Sequence, residues 1–155
     1  MTRLLGIDVG QRRIGIALAD TQSGNVRPLA TLSRASAERD RESIGRLVAE
    51  HHVDEIIVGL PLTLAGEMGA QATETRDWAA AALAPLDVVI RWRDERLTTE
   101  RAIERIGGAG RGPAGGPPSA AQRRAHRARL DREAAMLILQ AELDARSATT
   151  AAAPL

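Results

Sequence analysis

The chain has 155 residues, a net charge of +1 and no cysteine. Its length suits one domain with its own core, and the missing cysteine excludes a disulfide framework, a thiolate nucleophile and a Cys-type zinc site, in keeping with a reducing cytoplasm. The N-terminus meets Arg3 and Asp8 too early for a secretory signal, and no apolar run approaches bilayer length, so no membrane partner is expected. Arg3 to Asp8 and Ile14 to Ala19 read as strands joined by Val9 to Arg13, where Gly10 allows a tight turn. Pro28 to Leu32 is a short third strand with Pro at its start, which makes a three-stranded antiparallel meander. Ile44, Leu47 and Val48 recur at helical spacing over Arg39 to His51; the adjacent His51 and His52 cannot share a face and suit a helix C-terminus better than a metal.

Glu55 to Val58 is a continuous apolar run, the mark of a buried parallel strand, with Gly59, Leu60 and Pro61 read as the loop after it. Ala70 to Leu83 is helical, Val88 to Trp92 is a fifth strand, and Thr99 to Ile106 is a short helix that Thr98 or Thr99 would cap. Residues Gly107 to Pro118 hold six glycines and three prolines and should form a mobile loop. A last helix follows with Leu130, Ala134, Leu137, Ile138 and Ala141 on one stripe, then a disordered tail over 147–155. The result is one α/β domain over 1–146, a mixed five-stranded sheet of meander plus parallel strands with helices on both faces. Trp78 and Trp92, the only large aromatic residues, read as core.

Three carboxylates stand where apolar runs end or begin: Asp8 after Leu4 to Ile7, Glu95 after Val88 to Trp92, and Asp131 before Ala134 to Leu143. A desolvated carboxylate is costly unless a cation or hydrogen-bond donors satisfy it, so three of them suggest a hard divalent cation. Strand alternation puts Asp94 on the face of Ile90 and Trp92, and Glu95 on the face of Arg91 and Arg93. Glu95 is preferred for its longer arm, while Asp94 can orient the following turn. Asp131 has a competing role as N-cap of the last helix. All 21 basic residues are arginine, and Arg123, Arg124, Arg127, Arg129 and Arg132 fall within ten positions, beside His126. Such a cluster favours phosphate, with a solvated helix face as the plainer reading. Arg13 and Arg96 follow the acids closely and are candidate phosphate clamps; ion pairs with Asp20, Asp94 or Glu95 are the alternative.

Four segments occur in order: G-I-D-V-G-Q-R-R-I-G at Gly6 to Gly15, I-V-G-L-P-L at Ile57 to Leu62, D-E-R-L-T-T at Asp94 to Thr99, and L-D-R-E-A-A at Leu130 to Ala135. With these the chain resembles the YqgF family over about residues 3 to 145. The resemblance implies a ribonuclease H-like fold related to Holliday junction resolvases, and a nuclease that matures the 5′ end of pre-16S rRNA in ribosome biogenesis. It also implies an acidic triad at Asp8, Glu95 and Asp131, the three residues already singled out. One or two Mg²⁺ or Mn²⁺ ions would supply a nucleophilic water and neutralise charge, with Asp8 bridging and Glu95 and Asp131 each holding one ion. Arg13, Arg96, Arg123, Arg124, Arg127 and Arg129 would contact nucleic acid. The Gly/Pro loop departs from the shorter, basic, Ser-rich loop usual in the family. The alternatives are a resolvase acting on branched DNA and a non-catalytic RNA binder on ribosomal precursor particles. The chain is expected to be a cytoplasmic monomer or weak homodimer. A phosphotransferase of the actin-like kind is disfavoured, because a second phosphate hairpin is missing.

Overall fold

The computed structural model describes residues 1–95, 98–112 and 115–152. Strands β1 (Arg3–Val9) and β2 (Arg13–Asp20) form the expected hairpin, closed by the Gly10 N–H donating to the Arg13 carbonyl at 2.8 Å. Strand β3 (Val26–Ser33) completes the meander, and its register steps between Ile16 and Ala17, opposite Ala30 and Pro28, where proline has no N–H for the ladder. Strand β4 (Glu55–Leu60) lies parallel to β1, and β5 (Val89–Asp94) parallel to β4. The order is β3-β2-β1-β4-β5. Gly59 and Leu60, expected in a loop, belong to β4, and the Glu95 N–H extends its pairing by donating to the Leu60 carbonyl at 3.1 Å.

Side-chain alternation sorts the sheet into two faces. Leu5, Ile7, Ile14, Ile16, Ile56 and Val58 pack against helices α1 (Ala37–Glu50) and α2 (Ala70–Ala82). Trp78 of α2 is core as expected, and its indole N–H donates to buried Asp40 at 3.0 Å. Trp92 is partly buried against the same core and carries the Arg76 guanidinium over its ring. Ser36 caps α1 by accepting from the Arg39 N–H. The two histidines end that helix: His51 is its C-cap, and His52 takes the left-handed conformation at φ 52°. The Val53 N–H bonds the Val48 carbonyl and the His52 N–H the Ala49 carbonyl, a Schellman closure.

The other face is covered by one helix, α4 (Ala120–Ala152), with α3 (Thr98–Ile106) beside it. At 33 residues α4 is about 50 Å long. Its cap is Ser119, whose Oγ accepts from the Gln122 N–H while the Gln122 side chain accepts from the Ser119 N–H. Asp131 is therefore eleven residues inside the helix and is not its N-cap. Residues 147–152, expected to be disordered, continue α4. The stripe on the sheet is Ala135, Ile138, Leu139 and Leu143, turned from the one expected. Leu130, Leu137 and Ala141 are only half-buried, because the sheet-facing side also carries the polar Asp131 and Glu142. Between α3 and α4 the Gly/Pro segment carries no helix or strand among its described residues, and the Gln122 amide donates to the Arg111 carbonyl at 2.7 Å.

Candidate active site

What brings the acids together is a set of glycines on the face under α4. Asp8 pairs in register with Gly15, so a residue seated on Gly15 lies beside Asp8. Asp131 is seated there: a Cβ added to Gly15 would fall 2.0 Å from the Asp131 carbonyl oxygen. Gly6 makes the same close approach to Leu139, and Gly59 seats both the Glu95 carboxylate and the Ile138 side chain, each at 2.5 Å from an added Cβ. No strand position bearing a Cβ would let the helix sink this far.

Parity decides between Asp94 and Glu95. Arg91 and Arg93 point to the α4 face, where they pair with Glu55 and Glu142, while Ile90 and Trp92 pack with α1 and α2. Glu95 follows the arginines, over Gly59 and toward Asp8; Asp94 is exposed. Burial, then the charge of Asp8 and a hydrogen bond to it, with a contribution from Asp94, push the Glu95 carboxyl up to about 10. Burial also raises Asp8, partly offset by accepting that hydrogen bond from Glu95, and the nearby Asp131 charge raises it further. Two carboxylates this close disfavour carrying charge together.

Asp131 is engaged differently. The Arg13 Nε donates to its Oδ2 at 2.6 Å, so Arg13, expected at a phosphate or beside Asp20, Asp94 or Glu95, is on Asp131. Among the described residues no three Asp, Glu or His side chains stand ready as a ligand cluster. The chemistry of the donor set nonetheless suits a hard divalent cation: three carboxyl groups offering only oxygen atoms, two of them hydrogen-bonded to each other and the third paired with a guanidinium.

Of the other expected contacts, Arg124 and Arg127 lie seven and four residues before Asp131 and share its side of α4, both exposed. Arg123 is further round and donates to the Pro118 carbonyl at 2.7 Å. Arg129 stands two residues from Asp131, on the opposite side of the helix, and Arg132 reaches back to Thr31. Arg96, and the side chains of Thr98 and Thr99, lie outside the described residues. Sequence reasoning missed Gly15 and Gly59 as seats for the acids. Their only signal was glycine inside otherwise apolar strands.

A family model described as RuvX, Holliday junction resolvase, matches residues 2–145. The chain belongs to this family. A Chloroflexus aggregans protein named "Putative pre-16S rRNA nuclease" is 39% identical over 143 residues, covering 92% of this chain and 94% of its own. T. thermophilus RuvC in complex with Holliday junction substrate aligns over 96% of this chain and 98% of its own, at TM-score 0.55 and 16% identity. The fowlpox virus Holliday junction resolvase aligns over 93% and 99%, at TM-score 0.51 and 13% identity. The YqgF resemblance and the resolvase-like, ribonuclease H-type fold expected from the motifs are thereby borne out.

Proposed function

We propose that the chain is a nuclease that hydrolyses phosphodiester bonds with Mg²⁺ or Mn²⁺ held by Asp8, Glu95 and Asp131, and that it processes the 5′ end of pre-16S rRNA during ribosome biogenesis. The observation that carries the metal reading is the hydrogen-bonded Asp8–Glu95 carboxyl pair, with Asp131 seated on the neighbouring strand. A carboxylate pair at parallel-strand C-termini, with the exposed Arg124 and Arg127 on the same side of α4 as Asp131, serves no packing purpose. The bound cation supplies a Lewis acid for the phosphate and acidifies a water. Asp8, on the central strand, would hold the cation together with Glu95 and Asp131. Arg124 and Arg127, with Arg123 at the start of α4, neutralise the strand leading to the site, and Arg96 and Arg129 are further candidates for its phosphates. The relatives' names support the RNA substrate, and a cytoplasmic site of action accords with it.

The second reading, cleavage of four-way DNA junctions, is favoured by the family description and by the likeness to RuvC. It requires two copies of the chain, one per symmetric strand. The deciding experiment is cleavage of a labelled pre-16S 5′-leader RNA and of a four-way junction, each with Mn²⁺ or Mg²⁺, by wild type and Asp8→Asn. Metal-dependent RNA cleavage lost in the variant supports the proposal, and preferential junction cleavage replaces the substrate. Equal background from both proteins, with RNA binding retained, leaves a non-catalytic assembly factor.

A further inference from the structure

We infer that Arg13 is a positioning residue that holds Asp131 in the metal-free protein and yields it to the cation, so that metal binding frees the guanidinium for the substrate phosphate. The inference rests on the metal reading above and adds a competitor within the same site. Arg13 and Gly15 share the α4 face of β2, and Gly15 is both the register partner of Asp8 and the seat of the Asp131 backbone. The guanidinium thus reaches Asp131 from the strand next to Asp8, at 2.6 Å through Nε. Its terminal amino groups make no hydrogen bond among the described residues.

Magnitudes favour exchange over a permanent lock. The Arg13 side chain is 32% exposed and that of Asp131 19% exposed, so water reaches the pair and screens its attraction. A doubly charged ion displaces such a partner readily. The ion pairs at the other end of α4, with arginines about as exposed, are built otherwise: Glu142 is held by both Arg93 and Arg146, and Arg146 also holds Glu55. Among the described residues Arg13 has one side-chain partner, through one nitrogen, which is what a displaceable contact requires. Once released, the planar fork stays tethered at the start of β2 and is free for bidentate pairing with a phosphate.

The test is a double-mutant cycle on Mn²⁺ affinity by calorimetry, without nucleic acid, for wild type, Arg13→Gln, Asp131→Asn and the double variant, each checked for folding by circular dichroism. The expected result is Mn²⁺ binding about fivefold tighter in Arg13→Gln, and no such gain when the same change is made in the Asp131→Asn background. Arg13→Lys, which keeps the charge but lacks the fork, should retain wild-type Mn²⁺ affinity and still cleave more slowly. An equal gain in both backgrounds would mean a general field effect and overturn the exchange, as would unchanged or weaker binding in Arg13→Gln. If Arg13→Gln does not fold, the contact is a structural lock and the exchange is overturned. Wild type that binds no Mn²⁺ removes the metal reading itself, and this inference with it.

Discussion

At the scale of single residues, the acids were legible because their chemistry conflicts with their surroundings. A carboxylate at the end of an apolar strand requires a reason, and burial pushes the carboxyls of both Asp8 and Glu95 up. Asp8→Asn removes one charge of the pair while keeping its shape. Turnover should fall by at least ~100-fold, beyond what loss of a residue supporting a ligand costs, while the melting temperature without metal holds or rises. A matched fall in melting temperature would assign Asp8 to the fold. The pH dependence has a definite sign. Glu95 titrates at about 10 in the folded protein against an ordinary 4.5, so the fold binds the proton more tightly than the unfolded chain does. That stability is complete below about pH 4.5 and is lost as pH rises toward about 10. In chelator, melting temperature should therefore decline from about pH 5 to pH 9, and Mn²⁺ should recover most of it at the alkaline end. A flat profile in chelator would mean that Glu95 ionises freely in the folded state.

Elements were legible where periodicity was strong and misread where polar residues share a buried face. All five strands and α1 to α3 fall where alternation and helical spacing put them, to within about two residues at their ends. Helix α4 is the exception. Its start is written as S-x-x-Q at Ser119 to Gln122, a capping box, but the arginines that follow offer no apolar stripe to mark a helix. Ser119→Ala should cost about 1 kcal/mol in denaturant unfolding and leave Mn²⁺ affinity unchanged, since the cap is three turns from Asp131. Gly15→Ala is the opposite case. A methyl 2.0 Å from the Asp131 carbonyl forces α4 off the sheet, so it should cost about 1–3 kcal/mol and weaken Mn²⁺ binding together. Wild-type metal affinity in Gly15→Ala would show that α4 tolerates the shift without moving Asp131.

For the molecule as a whole, α4 is the tie. It passes from Thr31 of β3, which donates to the Ala128 carbonyl at 2.9 Å, over Gly15, Gly6 and Gly59, to Arg93 of β5 at Glu142. Burial raises the Glu142 carboxyl, but the guanidiniums of Arg93 and Arg146 outweigh that and hold it below its usual range. Glu142→Ala should cost about 3–5 kcal/mol, because two half-buried arginines lose their shared partner. Residues 120–127, by contrast, are exposed except for the half-buried Gln122 and His126. Their amides should exchange with solvent well before those of 131–143, and should slow on addition of pre-16S leader RNA if Arg124 and Arg127 contact its phosphates. No slowing there would move the substrate to another face.

By itself the sequence determined the strand and helix types, the two-faced sheet and the acids of the candidate site, because each follows from local chemistry: period two, period 3.6, and charge at the edge of an apolar run. Only the tertiary structure decided which arginine meets Asp131, which side of α4 meets the sheet, and that Asp131 is interior to its helix. Those depend on how closely two distant segments approach. That distance is set by Gly6, Gly15 and Gly59, whose missing side chains leave no periodic trace in the chain.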